Sequence, residues 1–220
     1  MEYEVLSNLN DTDRAHVLQR CTSRDFARGD VILREGEPGE HFHLIESGRV
    51  SLHVATLTGE TAMLSLLRAG QAFGELALVG DRPRTATVVA LEQVRILAMS
   101  RAVFDELRRD HPVVDRMLVE ILASRVDRLS RELTEALYLP VEVRLARRLL
   151  ALAAVYRSEA GPVVLPLTQQ DIAELVGATR PTTNLELNIL AESGIVQLAR
   201  GRVTILDERA LRERASGQAV

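Results

Sequence analysis

The sequence predicts an α+β protein: an N-terminal antiparallel β-roll (jelly roll), a long helix and a C-terminal winged helix-turn-helix. Short segments rich in β-formers alternate with turn signals from Arg28 to about Ser100. An apolar repeat of helical period then runs to Tyr138, and two short helical patterns separated by Gly177 follow. We therefore expect three segments: residues 1–110, 111–138 and 139–220.

Length and composition limit the classes of protein. The 220 residues are 46% hydrophobic, with 13 Gly and 7 Pro, which favours a folded chain with a core. No apolar run reaches the roughly 18 residues of a membrane span, and no signal-peptide pattern opens the chain. We expect a cytoplasmic protein with no membrane partner. The single cysteine, Cys21, is expected to be a small buried hydrophobe.

The β-roll is predicted from six short strands and the turns between them. The strands are expected at residues 31–33, 42–45, 50–54, 62–67, 87–90 and 94–98. Glycine-containing turns separate them, among them Thr58-Gly59 and Gly80-Asp81. Short strands at this spacing are typical of an antiparallel sandwich or jelly roll. One amphipathic helix, beginning near Asp11, is expected to precede them.

Residues 70–90 contain the most informative motif. Glu75 stands nine positions before Arg84 in an apolar stretch, where two opposite charges cost desolvation energy unless a polar ligand binds there. The planar guanidinium of Arg84 suits a phosphate, and a short helix beginning at Glu75 would add backbone N–H groups. The Glu75 carboxylate, an acceptor only, could hold a ribose hydroxyl. The alternative is a structural salt bridge in a domain that has lost its ligand.

The same run resembles the phosphate-binding cassette of cyclic-nucleotide-binding domains. It reads Phe-Gly-Glu-Leu-Ala-Leu and then Pro-Arg-Thr-Ala. The resemblance implies cAMP as an allosteric effector, with cGMP as the alternative, because a hydroxyl after the cassette Arg favours guanine in some such domains. The implied nucleotide contacts are Gly74, Glu75, Leu76, Ala77, Arg84 and Thr85.

The long helix is predicted from an apolar stripe that follows His111-Pro112. Its members, at spacings of four and three, are Leu118, Leu122, Val126, Leu129, Leu133 and Ala136. A stripe of this length without a breaker favours a two-chain coiled coil, and hence a homodimer. The alternative is a helix that lies along its own β-roll.

Two short helices near the C-terminus form the predicted helix-turn-helix. Thr168 is expected to cap the first helix and Thr179 the second, with Gly177 ending the first. In such a pair the second helix can enter the major groove of double-stranded DNA. A hairpin with Arg200 and Arg202 at its tip is expected to form a wing on the phosphate backbone.

The start of the second helix has side chains suited to reading DNA. Arg180 can make a two-hydrogen-bond contact with guanine, and short polar groups follow it at Thr182, Thr183 and Asn184.

The distribution of charge along the chain agrees with DNA binding by the C-terminal segment. Residues 1–138 carry 17 Arg against 22 acidic residues, whereas residues 139–220 carry 10 Arg against 9. Only the second part could tolerate DNA.

The order of β-roll, long helix and winged helix-turn-helix resembles the catabolite-activator/FNR (CRP/FNR) family of bacterial transcription regulators. The phrase Leu-Thr-Gln-Gln-Asp-Ile-Ala-Glu-Leu-Val-Gly, which begins at Leu167, is close to that family's wording. The resemblance implies a cyclic-nucleotide-responsive dimeric regulator of a near-palindromic DNA site, with RNA polymerase as a further partner. It adds Thr168, Gln169, Gln170 and Thr179 as DNA contacts, and Leu129 and Ser130 as neighbours of the nucleotide base.

The chain also departs from the family pattern. Pro181 stands where members commonly have Glu, and Leu185 stands where a second base-reading Arg is common. Leu129 replaces a Thr that reads the adenine amino group in the catabolite activators. We therefore do not expect the family's best-known operator, and the identity of the base stays open.

Two other functions remain as alternatives. One is a regulator of the same fold that is independent of nucleotide or responds to another effector. The other is a cyclic-nucleotide-binding regulatory module that acts on a protein partner.

His41, His43 and His53 could in principle hold a metal, but we expect none because no carboxylate–His spacing accompanies them. No catalytic motif is found, so we do not expect an enzyme.

Overall fold

The predicted β-roll forms from two antiparallel sheets. Its strands are β1 (Thr22–Phe26), β2 (Val31–Leu33), β3 (His41–Ser47), β4 (Arg49–Ala55), β5 (Thr61–Arg68), β6 (Ala72–Phe73), β7 (Thr87–Ala90) and β8 (Val94–Ser100). One sheet has the order β1-β8-β3-β6 and the other β2-β7-β4-β5. Ile45, Val50, Phe73 and Ile96 belong to one core that joins both sheets. This arrangement is a jelly roll, as the sequence predicts.

The structure is a computed structural model that describes residues 3–7, 9–57, 59–78, 82–111, 113–157 and 161–217, without the side chains of Ala77, Asp110 and Met117. The predicted turn positions Thr58 and Gly80-Asp81, and Pro112 before the long helix, lie outside these residues. The chain divides into two units, Met1–Arg128 and Leu129–Val220. The division falls within the long helix rather than at its ends.

Helices cover the outer face of the first sheet. They are α1 (Asp11–Gln19), α2 (Arg101–Asp110) and the first turns of α3 (Val113–Tyr138). Strand β3 buries both of its faces: Phe42 and Leu44 join the core under these helices, whereas Ile45 joins the core between the sheets. This follows from the alternation of side chains along a strand. Strand β3 is therefore packed on both faces, and its residues border the motif of residues 70–90.

The second unit is a winged helix-turn-helix. After the last turns of α3 it contains α4 (Val141–Tyr156), β9 (Val163–Leu165), α5 (Gln169–Val176), α6 (Arg180–Glu192), β10 (Val196–Ala199), β11 (Arg202–Ile205) and α7 (Glu208–Ala215). The strands form an antiparallel sheet in the order β10-β11-β9. Leu145 and Leu149 of α4 are fully buried in this unit, as are Ile172 of α5 and Leu187 of α6. The predicted limits of α5, the Thr168 cap and Gly177, agree with the structure.

Several elements were missing from the sequence prediction. Strand β1 (TSRDF) has no apolar alternation, and β6 has only two residues, so neither carries a strand signal. Helix α2, by contrast, does carry a helix signal. Ser100 caps it by accepting a hydrogen bond from the Val103 N–H, and Phe104 and Leu107 are buried. Helix α7 begins in the same way at Asp207.

Cys21 follows α1 and is partly buried. Its thiol donates a hydrogen bond to the carbonyl oxygen of Val17 at 3.4 Å. Burial raises the pKa of the thiol to about 11.

In the described part of the chain, no helix combines the length and apolar character needed to cross a membrane.

Candidate functional sites

The turn between β6 and Glu75 depends on a glycine. Gly74 has φ +84°, a conformation that side chains with a Cβ rarely adopt. A Cβ at this position would lie 2.7 Å from Arg84 Nη1 and 3.1 Å from the His41 carbonyl oxygen. The glycine therefore permits both the sharp turn and the close approach of Arg84. A short 3-10 segment, Glu75–Ala77, follows directly.

Arg84 is buried and binds only neutral acceptors among the described residues. Its Nη1 donates to the Gly74 carbonyl oxygen at 3.1 Å, and its Nη2 donates to the His41 carbonyl oxygen at 2.8 Å. Its Nε is buried without a hydrogen-bond partner in the described chain. Burial lowers the pKa of this guanidinium, and Glu75 acts in the opposite direction. A buried cation held by neutral carbonyls favours an anionic ligand.

Glu75 is only 1% exposed and forms its ion pair with Arg125 of α3. Arg125 Nη1 lies 2.7 Å from Glu75 Oε1, and neither carboxylate oxygen accepts a well-aligned hydrogen bond from another described residue. Burial raises the pKa of this carboxyl, and the charge of Arg125 opposes the rise. A ligand hydroxyl would supply the missing donor.

Arg125 is a site residue that the sequence reasoning missed. It lies on α3, where its Nη2 donates to the Ala72 carbonyl oxygen at 3.2 Å, and one turn later Arg128 donates to Ser65 Oγ at 2.6 Å. Because Arg125 is 50 positions from Glu75 in the sequence, no local spacing could pair the two. The structural salt bridge considered from the sequence is thus present, but its cation is Arg125 and not Arg84.

A small cavity brings most of the predicted nucleotide contacts together. Its lining includes Gly74, Glu75, Leu76, Arg84, Thr85 and Arg125, with apolar side chains from Leu33, Leu52, Phe73, Ala86 and Val88. The side chain of Ala77 lies outside the described residues. Leu129 and Ser130 are exposed on α3 and belong to the second unit. The cavity therefore brings a buried guanidinium and a buried carboxylate together beside apolar side chains.

The histidines do not form the arrangement considered from the sequence. His41 and His43 share β3 with ring centroids 6.2 Å apart, but His53 lies on β4 of the other sheet. Strands β3 and β4 pair with different strands, so His53 does not lie beside the other two on one sheet. Among the described residues, no three His, Cys, Asp or Glu side chains come together as a metal site.

His43 is buried beside the motif of residues 70–90. Its ring stacks on Phe73 with centroids 4.9 Å apart, and its Nδ1 has no hydrogen-bond partner in the described structure. Burial, followed by the neighbouring charges of Arg84, His41 and Arg24, lowers the pKa of His43 to about 3. The ring is therefore neutral at physiological pH and serves as an aromatic support.

The helix-turn-helix has the predicted caps. Thr168 and Asp171 form a reciprocal capping box at the start of α5, and Gly177 ends α5 in the left-handed conformation. Thr179 caps α6 by accepting from the Thr182 N–H, with Pro181 in the first turn. The sequence thus determines the turn between the two helices through local hydrogen bonds.

An open groove on the second unit gathers many of the predicted DNA contacts. Its lining comprises Thr168, Gln169, Gln170, Arg180, Leu198, Ala199, Arg200 and Gly201. The wing is a tight hairpin in which Ala199 pairs with Arg202 across the turn. Arg180, Arg200 and Arg202 are exposed. This convergence places cationic side chains of α6 and of the wing on one surface.

One of the predicted base contacts needs correction. Thr183 is fully buried, so its side chain cannot reach a base. It belongs to the inner face of α6, together with Leu187 and Leu190, at spacings of four and three that were readable in the sequence. Asn184 is half-buried and its Oδ1 is shielded from solvent. Thr182 Oγ1 lies 2.8 Å from Thr179 Oγ1 and takes part in the cap.

Comparisons with known proteins match both domains of the chain. The cyclic nucleotide-binding domain model matches residues 23–111, and the Crp-like helix-turn-helix domain model matches residues 143–214. The chain is 34% identical, over 87% of each chain, to the CRP-like cAMP-activated global transcriptional regulator of Mycobacterium tuberculosis. It is 33% identical, over 89% of each, to the cyclic AMP receptor protein of Thermus thermophilus.

A solved structure also resembles this chain over most of its length. The structure of a CRP/FNR-family transcriptional regulator from Thermus thermophilus has a TM-score of 0.77 and 28% identity, covering 89% of this chain and 98% of that one. Taken with the relatives and the two domain matches, the chain belongs to the CRP/FNR family of transcription regulators, with a cyclic nucleotide-binding domain followed by a DNA-binding helix-turn-helix domain.

Proposed function

We propose that the protein is a homodimeric regulator that binds a near-palindromic DNA site in response to cAMP. The observation that carries the proposal is the buried pair of groups in the β-roll cavity: a cation held by neutral carbonyls at Arg84 and a carboxylate without a hydrogen-bond donor at Glu75. A cyclic phosphate would satisfy Arg84, and a ribose hydroxyl would satisfy Glu75.

The choice of cAMP rests on the relatives rather than on the cavity. The relatives from Mycobacterium tuberculosis and Thermus thermophilus are named for cAMP. Thr85 is exposed at the cavity, where its hydroxyl could accept a hydrogen bond from guanine. For this reason cGMP is the alternative effector. The contact between Ser130 and the base, expected from the family resemblance, stays a prediction.

Exposed apolar residues on α3 support a dimer. Val119, Val126, Leu129, Leu133 and Leu137 are each more than half exposed. Val119, Val126 and Leu133 repeat every seven residues, and Leu129 stands three residues after Val126, as in a coiled-coil seam. Leu118, by contrast, is buried in the core of its own unit. The helix therefore uses one face for its own unit and leaves another for a second copy.

Binding of nucleotide would act on DNA affinity by population shift. Ligand that binds one arrangement of the dimer better than others favours that arrangement, whose two recognition helices must reach successive major grooves about 34 Å apart. Exposed Arg180, Arg200 and Arg202 supply the cationic contacts at each half-site. RNA polymerase as a further partner is an expectation from the family resemblance alone.

Calorimetric titration of nucleotide-stripped protein tests the proposed effector site. We expect tight binding of cAMP by the wild-type protein and a loss of at least about 100-fold in affinity in Arg84→Ala, because a charge-assisted phosphate contact is removed. Arg82→Ala is the matched control, since Arg82 is exposed and does not line the cavity. Titration with cGMP decides between the two nucleotides. Equal affinity of Arg84→Ala and wild type would contradict the proposal.

A further inference from the structure

One exposed line of residues on α6, here called the apolar face, contains only apolar side chains. Leu185 is 60% exposed and Ile189 36% exposed, and Pro181 is exposed in the first turn. The three residues are spaced by four, so they lie along one side of the helix. No hydrogen-bonding side chain stands among these three positions, although the helix belongs to a DNA-binding domain.

Packing within the domain does not account for this face. The core of the second unit is already supplied by the other side of α6, where Thr183, Leu187 and Leu190 are buried. The parts of the Leu185 and Ile189 side chains that stay in water gain nothing from folding, because the hydrophobic contribution comes from area removed from water. The apolar face is therefore available to a partner.

The surroundings of the face identify the partner chemistry. Arg180 begins the same helix, and Arg200 of the wing shares a groove with it. These cations suit phosphates and a guanine edge, so the apolar face, which follows Arg180 along the same helix, would meet base edges in the major groove. In that groove the C5-methyl group of thymine is the apolar group that the bases present.

We propose that Leu185, flanked by Pro181 and Ile189, contacts thymine methyl groups and so sets the sequence preference of each half-site. The proposal rests on the function proposed above and specifies the DNA that the same domain reads. Leu185 is five residues after Arg180, or about 7.5 Å along the helix axis at 1.5 Å per residue. This corresponds to about two base-pair steps, so the thymine is expected within about two base pairs of the guanine read by Arg180.

Replacement of thymine by uracil isolates the methyl group, because uracil keeps every hydrogen-bonding atom of the thymine edge. The operator is first selected from a random duplex pool with full-length protein and cAMP. Each thymine of the selected half-site is then replaced by uracil, and affinity is measured at one fixed salt concentration. We expect one or two positions at which the replacement weakens binding about three- to five-fold per methyl group.

Variants assign the effect to the residue. Leu185→Ala should bind the thymine and uracil duplexes equally, because the side chain that contacts the methyl group is absent. Leu206→Ala is the matched control, since Leu206 is about as exposed but lies outside α6, and it should keep the wild-type preference for thymine. Leu185→Arg should shift the preference at that position from thymine to guanine.

The outcomes separate this inference from the proposed function. Failure of the full-length protein to select any duplex, with or without cAMP, would count against the proposed function. Selection of a specific duplex that tolerates uracil at every position would overturn the thymine contact alone. A wild-type thymine preference retained in Leu185→Ala would overturn the role of Leu185.

Discussion

At the scale of single residues, His43 gives the clearest dependence on pH. Burial lowers the pKa of its ring to about 3 in the folded protein, whereas the ring titrates near 6.5 when unfolded. Below about pH 6.5 the ring is therefore protonated in the unfolded state but not in the folded state. The free energy of unfolding falls as the pH is lowered through this range. Arg84, His41 and Arg24 disfavour the proton in the same direction.

His43→Phe should remove this dependence while keeping the ring that stacks on Phe73. Relative to the variant, the wild-type protein should lose about 1.4 kcal/mol in free energy of unfolding for each pH unit below about 6.5. Urea unfolding between pH 4.5 and 7.5 measures this difference. His16→Gln, at an exposed position, should follow the wild type. Parallel pH curves for wild type and His43→Phe would show that the ring is protonated in the folded state.

At the scale of elements, the turn at Gly74 connects backbone conformation with ligand affinity. Gly74→Ala adds a Cβ in a left-handed conformation, at a cost of about 1–2 kcal/mol, and forces Arg84 Nη1 away from its position 2.7 Å from that Cβ. We expect cAMP affinity to fall at least about ten-fold. Gly59→Ala has the same backbone strain, with φ +82°, but no atom within 4 Å. It should lose only the stability that backbone strain costs and keep its affinity for cAMP. Equal affinities in the two variants would show that Arg84 tolerates displacement.

The elements also show what the sequence could and could not reveal. Glu75 and Arg84 were found because they stand close together in a segment with a recognisable pattern, and the caps of α5 and α6 depend on neighbouring residues. Arg125 was not found, because its pairing with Glu75 exists only after α3 packs on the β-roll. Strand β1 was missed because its position is determined by pairing with β8 rather than by its own polar sequence. Thr183 was misassigned although its apolar neighbours at spacings of four and three indicated a buried face.

At the scale of the whole molecule, the proposed dimer depends on the exposed seam of α3. Leu133→Glu places a charge at a seam position and should convert the protein to a monomer with much weaker DNA binding. Thr134→Glu, one residue later and off the seam, carries the same charge and should remain a dimer. Sedimentation equilibrium of both variants, with and without cAMP, measures the change. A dimer of Leu133→Glu as stable as that of the wild type would place the interface elsewhere.

Cys21 makes the protein well suited to spectroscopic labelling. It is the single cysteine of the sequence, its thiol is hydrogen-bonded to Val17, and its pKa of about 11 keeps it protonated at neutral pH. Since the thiolate is the reactive species, maleimide dyes should modify Cys21 slowly. A cysteine introduced on the exposed wing would then react selectively in the otherwise natural sequence. Fluorescence from such a probe could follow the arrival of DNA in real time.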